Sequence, residues 1–178
     1  MTRINALKKP CLKFILAILF ISQLPCTLIN AQTAKSTELR MTKTEVLQAK
    51  SAGPVAPGSS NLSGIQVIVI HGDPSATGLY TILLKVPANT TIAAHLHPDD
   101  RVATVIDGTW HFGYGNKFEK SKLKELPPGS IYSEVKDQNH FAMTGKTPVV
   151  LEITGYGPSG VTYVNEADDP KNSGHEKK

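Results

Sequence analysis

From residue 65 onward, apolar and polar positions change places in short bursts rather than with a helical period. Residues 65–70, 79–86, 91–97, 102–106, 109–114, 130–134, 140–143 and 149–153 are each rich in Val, Ile, Thr, Tyr, Phe or Trp, and Gly, Pro, Asn or Asp bounds them. Short runs of strand formers between turn residues predict β-strands. Eight of them at this spacing predict an all-β, antiparallel sandwich or barrel. Ahead of them, residues 32–63 are polar and punctuated. Residues 44–50 suit a short helix or an edge strand, and the Pro/Gly/Ser stretch 51–60 reads as a loop or linker. The Lys-rich stretch 116–125 is expected to be a solvated loop or one helical turn, and the charged tail 166–178 to be flexible.

The first 31 residues differ in kind. Arg3, Lys8, Lys9 and Lys13 precede an apolar run over residues 14–21, and a polar stretch follows, ending in small Ala31. That is the layout of a secretory signal. Ser22, Gln23 and Pro25 cut the run short of the roughly 20 apolar residues a spanning helix needs. The chain therefore divides into a signal peptide (1–31), an N-terminal extension (32–63), a barrel (64–165) and a tail (166–178). The expected location is the periplasm or outside the cell, without stable membrane insertion once the leader is gone.

Removing the leader changes the charge and the redox chemistry. The chain has 19 Lys+Arg and 15 Asp+Glu, and four of the bases but none of the acids lie before residue 32, which leaves 15 against 15. The basic character belongs to the leader, so nothing points to nucleic acid as a partner. Cys11 and Cys26 also leave, so neither a disulfide nor a thiolate is available to the mature chain.

Histidine carries the candidate chemistry. Residues two apart on a strand share a face, so His95 and His97 present adjacent imidazoles with Leu96 turned away and small Ala93 beside them. Two neutral imidazoles make half a site for a divalent transition metal. Spacing alone leaves open a pair of ordinary half-buried histidines. Asn89 lies five residues before the pair, Arg101 follows after three more residues, and Gly108 after a further six. This resembles the first motif of the cupin superfamily, which runs Gly, five residues, His-x-His, three or four residues, Glu, six residues, Gly. The second cupin motif is met by Gly129 and His140, with Val135, Asp137 and Thr144 at its Pro, second Gly and Asn positions.

The resemblance spans about residues 85–145. It implies a double-stranded β-helix (a jelly-roll, cupin barrel) and a metal site of His95, His97 and His140 holding Fe, Mn, Ni, Cu or Zn. Small single-cupin proteins also imply a homodimer. Asn at 89 keeps access to the left-handed backbone a tight turn needs. Arg101 is the serious departure, because a guanidinium has donors only and cannot replace a glutamate ligand. Three arrangements stay open: three histidines alone, with Arg101 orienting an anion; an anion site without metal; or a replacement ligand among Asp99, Asp100, Glu134 and His111. A rim ion pair of Arg101 with Asp99, Asp100 or Asp107 is equally open.

Trp110, Phe112 and Tyr114 share one strand face, and parity sends His111 to the other, toward Arg101. His71 reads as a turn residue and His175 as a solvated tail residue. Arg101 and Glu134 are the catalytic candidates. No Gly-rich phosphate loop and no Gly-x-Ser-x-Gly elbow is present. Two functions remain: a metal-dependent envelope enzyme acting on a small molecule by oxygenase- or isomerase-like chemistry, or a non-catalytic module binding a small molecule or anion.

Overall fold

The computed structural model describes residues 38–51 and 57–172. The leader and His175 lie outside the described residues. Ten strands form: β1 (Gln66–His71), β2 (Gly78–Val86), β3 (Thr91–Leu96), β4 (Arg101–Asp107), β5 (Trp110–Tyr114), β6 (Lys124–Leu126), β7 (Ile131–Glu134), β8 (His140–Thr144), β9 (Val149–Gly157) and β10 (Thr162–Tyr163). They make two five-stranded antiparallel sheets, ordered β1-β2-β9-β4-β7 and β10-β3-β8-β5-β6.

The pairing is nested. β5 pairs with β6, β4 with β7, β3 with β8 and β2 with β9. A single long hairpin folded so that successive rungs fall in alternate sheets gives this pattern, and it is a jelly-roll. The all-β expectation holds, with two strands more than the alternation marks. β6 emerges from the Lys-rich stretch after one 3-10 turn at Lys120–Lys122, and β10 has only two residues.

Strand parity fills the space between the sheets. Tyr80, Ile82, Leu84 and Val86 of β2 face Val149, Leu151 and Ile153 of β9, and Ala103 and Val105 of β4 join them in one core cluster. Burying each such Val, Leu or Ile stabilises by about 1.5–3 kcal/mol, so the core can hold without disulfides. The same parity places two charged residues inside. Arg101 sits two before Ala103, and Glu134 two after core Tyr132, so both side chains enter the barrel instead of solvent.

The extension is partly ordered. Residues Lys43–Gln48 form helix α1, started by a reciprocal capping box between Thr42 and Glu45. This six-residue helix buries nothing of its own, and Lys85 Nζ ties down its far end by donating to the carbonyls of Leu47 (2.7 Å) and Ala49 (2.6 Å). A cation suits those unpaired carbonyls. Residues 166–172 take up local structure. Asn165 caps a 3-10 turn at Glu166–Asp168, and Asn172 donates to the Glu166 carbonyl.

Candidate metal centre

Two left-handed turns set the frame. Asn89 (φ +56°) and Asp137 (φ +58°) adopt the conformation for which the cupin motifs use glycine. Asn and Asp reach it at lower cost than other side chains. Thr144, at the motif's Asn position, locks the first turn: its hydroxyl donates to the Pro87 carbonyl (2.7 Å) and accepts from the Thr90 amide (2.8 Å).

Between these turns, β3 and β8 bring the histidines together. His95 and His140 are direct cross-strand partners. Their ring centroids are 4.4 Å apart, and His97 lies 5.0 Å from His95 and 5.1 Å from His140. All three are buried, and one ligand atom from each falls within 4.8 Å of the other two. The three expected residues therefore do meet.

One detail corrects the reading of β3. The register slips between Ile92 and His95, so Ile92, not Ala93, shares the cavity with the histidines. A bulge adds a residue to one strand and reverses the parity beyond it. Ala93 contributes through its carbonyl instead.

Each imidazole is held from behind. Nδ1 of His95 meets the Ala93 carbonyl at 2.7 Å, that of His97 the Gly160 carbonyl at 2.5 Å, and that of His140 the Gln138 carbonyl at 3.1 Å. A carbonyl only accepts, so Nδ1 carries the hydrogen, and in a neutral ring Nε2 is then a bare lone pair. Burial, reinforced by neighbouring His140, pushes His95 down to about 3. Burial and then the Arg101 charge push His97 well below its ordinary value, and burial lowers His140. The rings are neutral and poised to ligate. A carbonyl or carboxylate behind each ring is the usual support of a metal-binding histidine.

Arg101 and Glu134 face this trio from the other sheet. They are direct partners in the β4–β7 register and form a buried ion pair. Arg101 also donates to the Gly58 carbonyl at 2.8 Å. Burial opposes the Glu134 charge, but the Arg101 guanidinium outweighs it, and the carboxyl is held at about 2. Burial likewise opposes the Arg101 charge, and Glu134 raises its pKa in spite of it. A rim ion pair of Arg101 is thus corrected. Asp99 accepts from Tyr80 and Ser159, Asp100 from the Lys136 amide, and Asp107 pairs with Lys43. His111 is corrected too. Trp110 and Phe112 line the cavity with Arg101, while His111 points away and lies 3.8 Å from Glu125.

The cavity between the two groups is about 20 Å³, room for one water-sized guest. Gly58, Ser59 and Ser60 close it. They belong to the stretch expected to be a linker, and the proline and glycine that suggested a loop gave no sign that it is buried. Six of the eight buried side-chain polar atoms without a well-formed hydrogen bond, among the described residues, belong to residues lining this cavity. They include His140 Nε2, Glu134 Oε2 and Arg101 Nε. Buried polar groups are rarely left so. Bare imidazole nitrogens around a one-ion space fit a divalent transition metal.

No family model and no curated protein matches the chain. Solved structures do. The polyketide cyclase RemF from Streptomyces resistomycificus is 17% identical, with 75% of this chain and 90% of that one covered at a TM-score of 0.56. An uncharacterised protein with a double-stranded β-helix domain from Klebsiella pneumoniae subsp. pneumoniae MGH 78578 is 20% identical, with 73% and 100% covered at 0.51. An RmlC-like cupin from Shewanella frigidimarina NCIMB 400 is 14% identical, with 69% and 94% covered at 0.47. Likeness at such identity speaks to fold, and fold is not function. Together with the nested pairing of its strands, the first two likenesses make this chain a double-stranded β-helix in fold, with three histidines gathered inside.

Proposed function

We propose that this protein is an exported cupin that binds a divalent transition metal through His95, His97 and His140 and acts on a small molecule by oxygenase- or isomerase-like chemistry. The observation that carries the reading is the convergence of three Nε2 lone pairs whose rings are pinned from behind by carbonyls. A transition ion held by imidazoles with positions open to substrate polarises a carbonyl or activates oxygen. The chain's own part is to hold the rings, keep them neutral and exclude bulk water from the space they face. An anion site without metal fits less well. Glu134 already neutralises Arg101, and the neutral rings add no positive charge.

Export and a homodimer belong to the same proposal. The leader's charge and apolar pattern supports the first. The edge strands β1 and β7, with exposed Val69 and Ile131, support the second, since an exported sheet protein must protect such edges.

Elemental analysis of protein purified without a histidine tag tests the reading. We expect near-stoichiometric metal, and His95→Ala and His140→Ala chains that keep their far-ultraviolet dichroism but lose at least about nine-tenths of it, because each removes one of three ligands. A folded chain that holds no metal, and whose thermal stability does not respond to added Zn²⁺ or Co²⁺, would overturn it.

A further inference from the structure

We infer that Glu134 is a fourth ligand of this metal, so that the carboxylate of the centre comes from β7, with Arg101 as its counter-ion. The inference rests on the metal reading above and adds a ligand to it.

The geometry starts from which atoms face each other. Glu134 Oε2 lies 3.6 Å from His97 Nε2 and 4.0 Å from His140 Nε2. With the Nδ1 atoms donating to carbonyls, both nitrogens present lone pairs, and the carboxylate oxygen presents lone pairs back. Acceptors facing acceptors in a buried space repel unless a cation lies between them. Atoms sharing an ion at about 2.0–2.1 Å around a tetrahedron sit roughly 3.3–3.4 Å apart. The His97 gap is within about 0.3 Å of that spacing, the His140 gap exceeds it by about 0.6 Å, and the space between the side chains has one-ion size.

Arg101 explains why the oxygen is there. Its guanidinium is fixed by the Gly58 carbonyl and sits directly across the β4–β7 ladder from Glu134. Arg101 occupies the position where the cupin motif has glutamate, and its cross-strand partner carries the carboxylate. The acid has moved one strand sideways, and the base in its old place holds it. An ion pair alone would account for the contact with Arg101. It does not account for the same oxygen, Oε2, also lying against two bare imidazole nitrogens.

Co²⁺ titration of the full chain tests this, with affinity read by competition against a chromophoric chelator and coordination read from the visible spectrum. Glu134→Gln is expected to weaken Co²⁺ binding at least about tenfold, the scale of losing one supporting group of a metal site, and to shift the spectrum. Because that variant leaves Arg101 buried without a counter-charge, a second pair guards against misfolding. Arg101→Met keeps the carboxylate and should bind Co²⁺ at least as tightly as the unaltered chain. Arg101→Met/Glu134→Gln removes both charges at similar volume and should lose the same factor of ten. If adding Glu134→Gln changes neither affinity nor spectrum in either background, Glu134 is only the counter-ion of Arg101 and the inference fails. If the unaltered chain itself takes up no Co²⁺, the metal reading fails instead.

Discussion

Two buried polar clusters lie close together in this barrel, and they are finished differently. In the first, Asp99 accepts from Tyr80 Oη at 2.6 Å and from Ser159 Oγ at 2.8 Å, so both carboxylate oxygens are used. The backbone makes way for it: a Cβ on Gly155 would stand 2.5 Å from Tyr80 Oη and 2.8 Å from Asp99 Oδ2. In the second, His95, His97, His140 and Glu134 aim acceptors at a common space, where His140 Nε2 has no hydrogen-bond partner among the described residues. Satisfied buried polar groups rigidify a fold, whereas unsatisfied ones are costly and are kept where something binds. The first cluster is finished as architecture, and the second is the one proposed as a site.

The largest expected effect separates them by pH. In the metal-free protein His95 and His97 stay neutral well below their ordinary range and His140 is lowered in the same direction, while an unfolded chain takes up protons from about pH 6.5 downward. The unfolded state then binds more protons than the native state, so stability falls as pH falls from about 6.5 toward 3. Glu134, held at about 2, extends the loss below its ordinary 4.5. Each group contributes at most about 1.4 kcal/mol per pH unit. Tyr80 behaves oppositely. Burial pushes it up to about 12, so its stabilisation is lost as pH rises from 10 toward 12. Melting temperatures across pH should show a steep acid limb that His95→Asn/His140→Asn flattens, and an alkaline limb that Tyr80→Phe reduces. An acid limb unchanged in the double histidine variant would break the comparison.

Asp99→Ala comes next. It strips Tyr80 and Ser159 of their acceptor and should destabilise by about 3 kcal/mol, since each orphaned buried hydroxyl costs about 1–3 kcal/mol. Urea unfolding reads the loss. Metal content should remain within twofold of the unaltered chain, because Asp99 faces Tyr80 and Ser159 rather than the histidines. A tenfold drop in metal affinity would show that the clusters work as one.

The contrast also shows what could be read before folding. Strand alternation and the His-x-His pair were visible because both depend on local period. The left-handed turns at Asn89 and Asp137 were visible at one place and hidden at the other, where Asp137 stands at the motif's second glycine position. What escaped depends on pairing across the barrel. The bulge that exchanges Ala93 for Ile92 follows from the β3–β8 register. The facing of Arg101 and Glu134, which are 33 positions apart, follows from the β4–β7 register. Gly58–Ser60 looked like linker because burial of a polar loop depends on partners supplied elsewhere, here Arg101 and Tyr163. The Thr42–Glu45 capping box was a local signal open to reading, and it would have decided helix over strand for residues 43–48.

Ser159→Ala is the smallest and sharpest of the predictions. Ser159 gives Asp99 one of its two hydrogen bonds, and Tyr80 keeps the other. Removing the hydroxyl leaves one carboxylate oxygen short of a donor without orphaning any second side chain, so the cost should be about 1–2 kcal/mol, the lower part of the range for a buried acceptor without its donor. If the cluster is architecture alone, this variant should melt slightly lower and bind Co²⁺ as the unaltered chain does. Should Co²⁺ affinity fall while stability does not, the hydroxyl is acting through Asp99 on Arg101 and Glu134, and the boundary between scaffold and site would have to be redrawn to include both clusters.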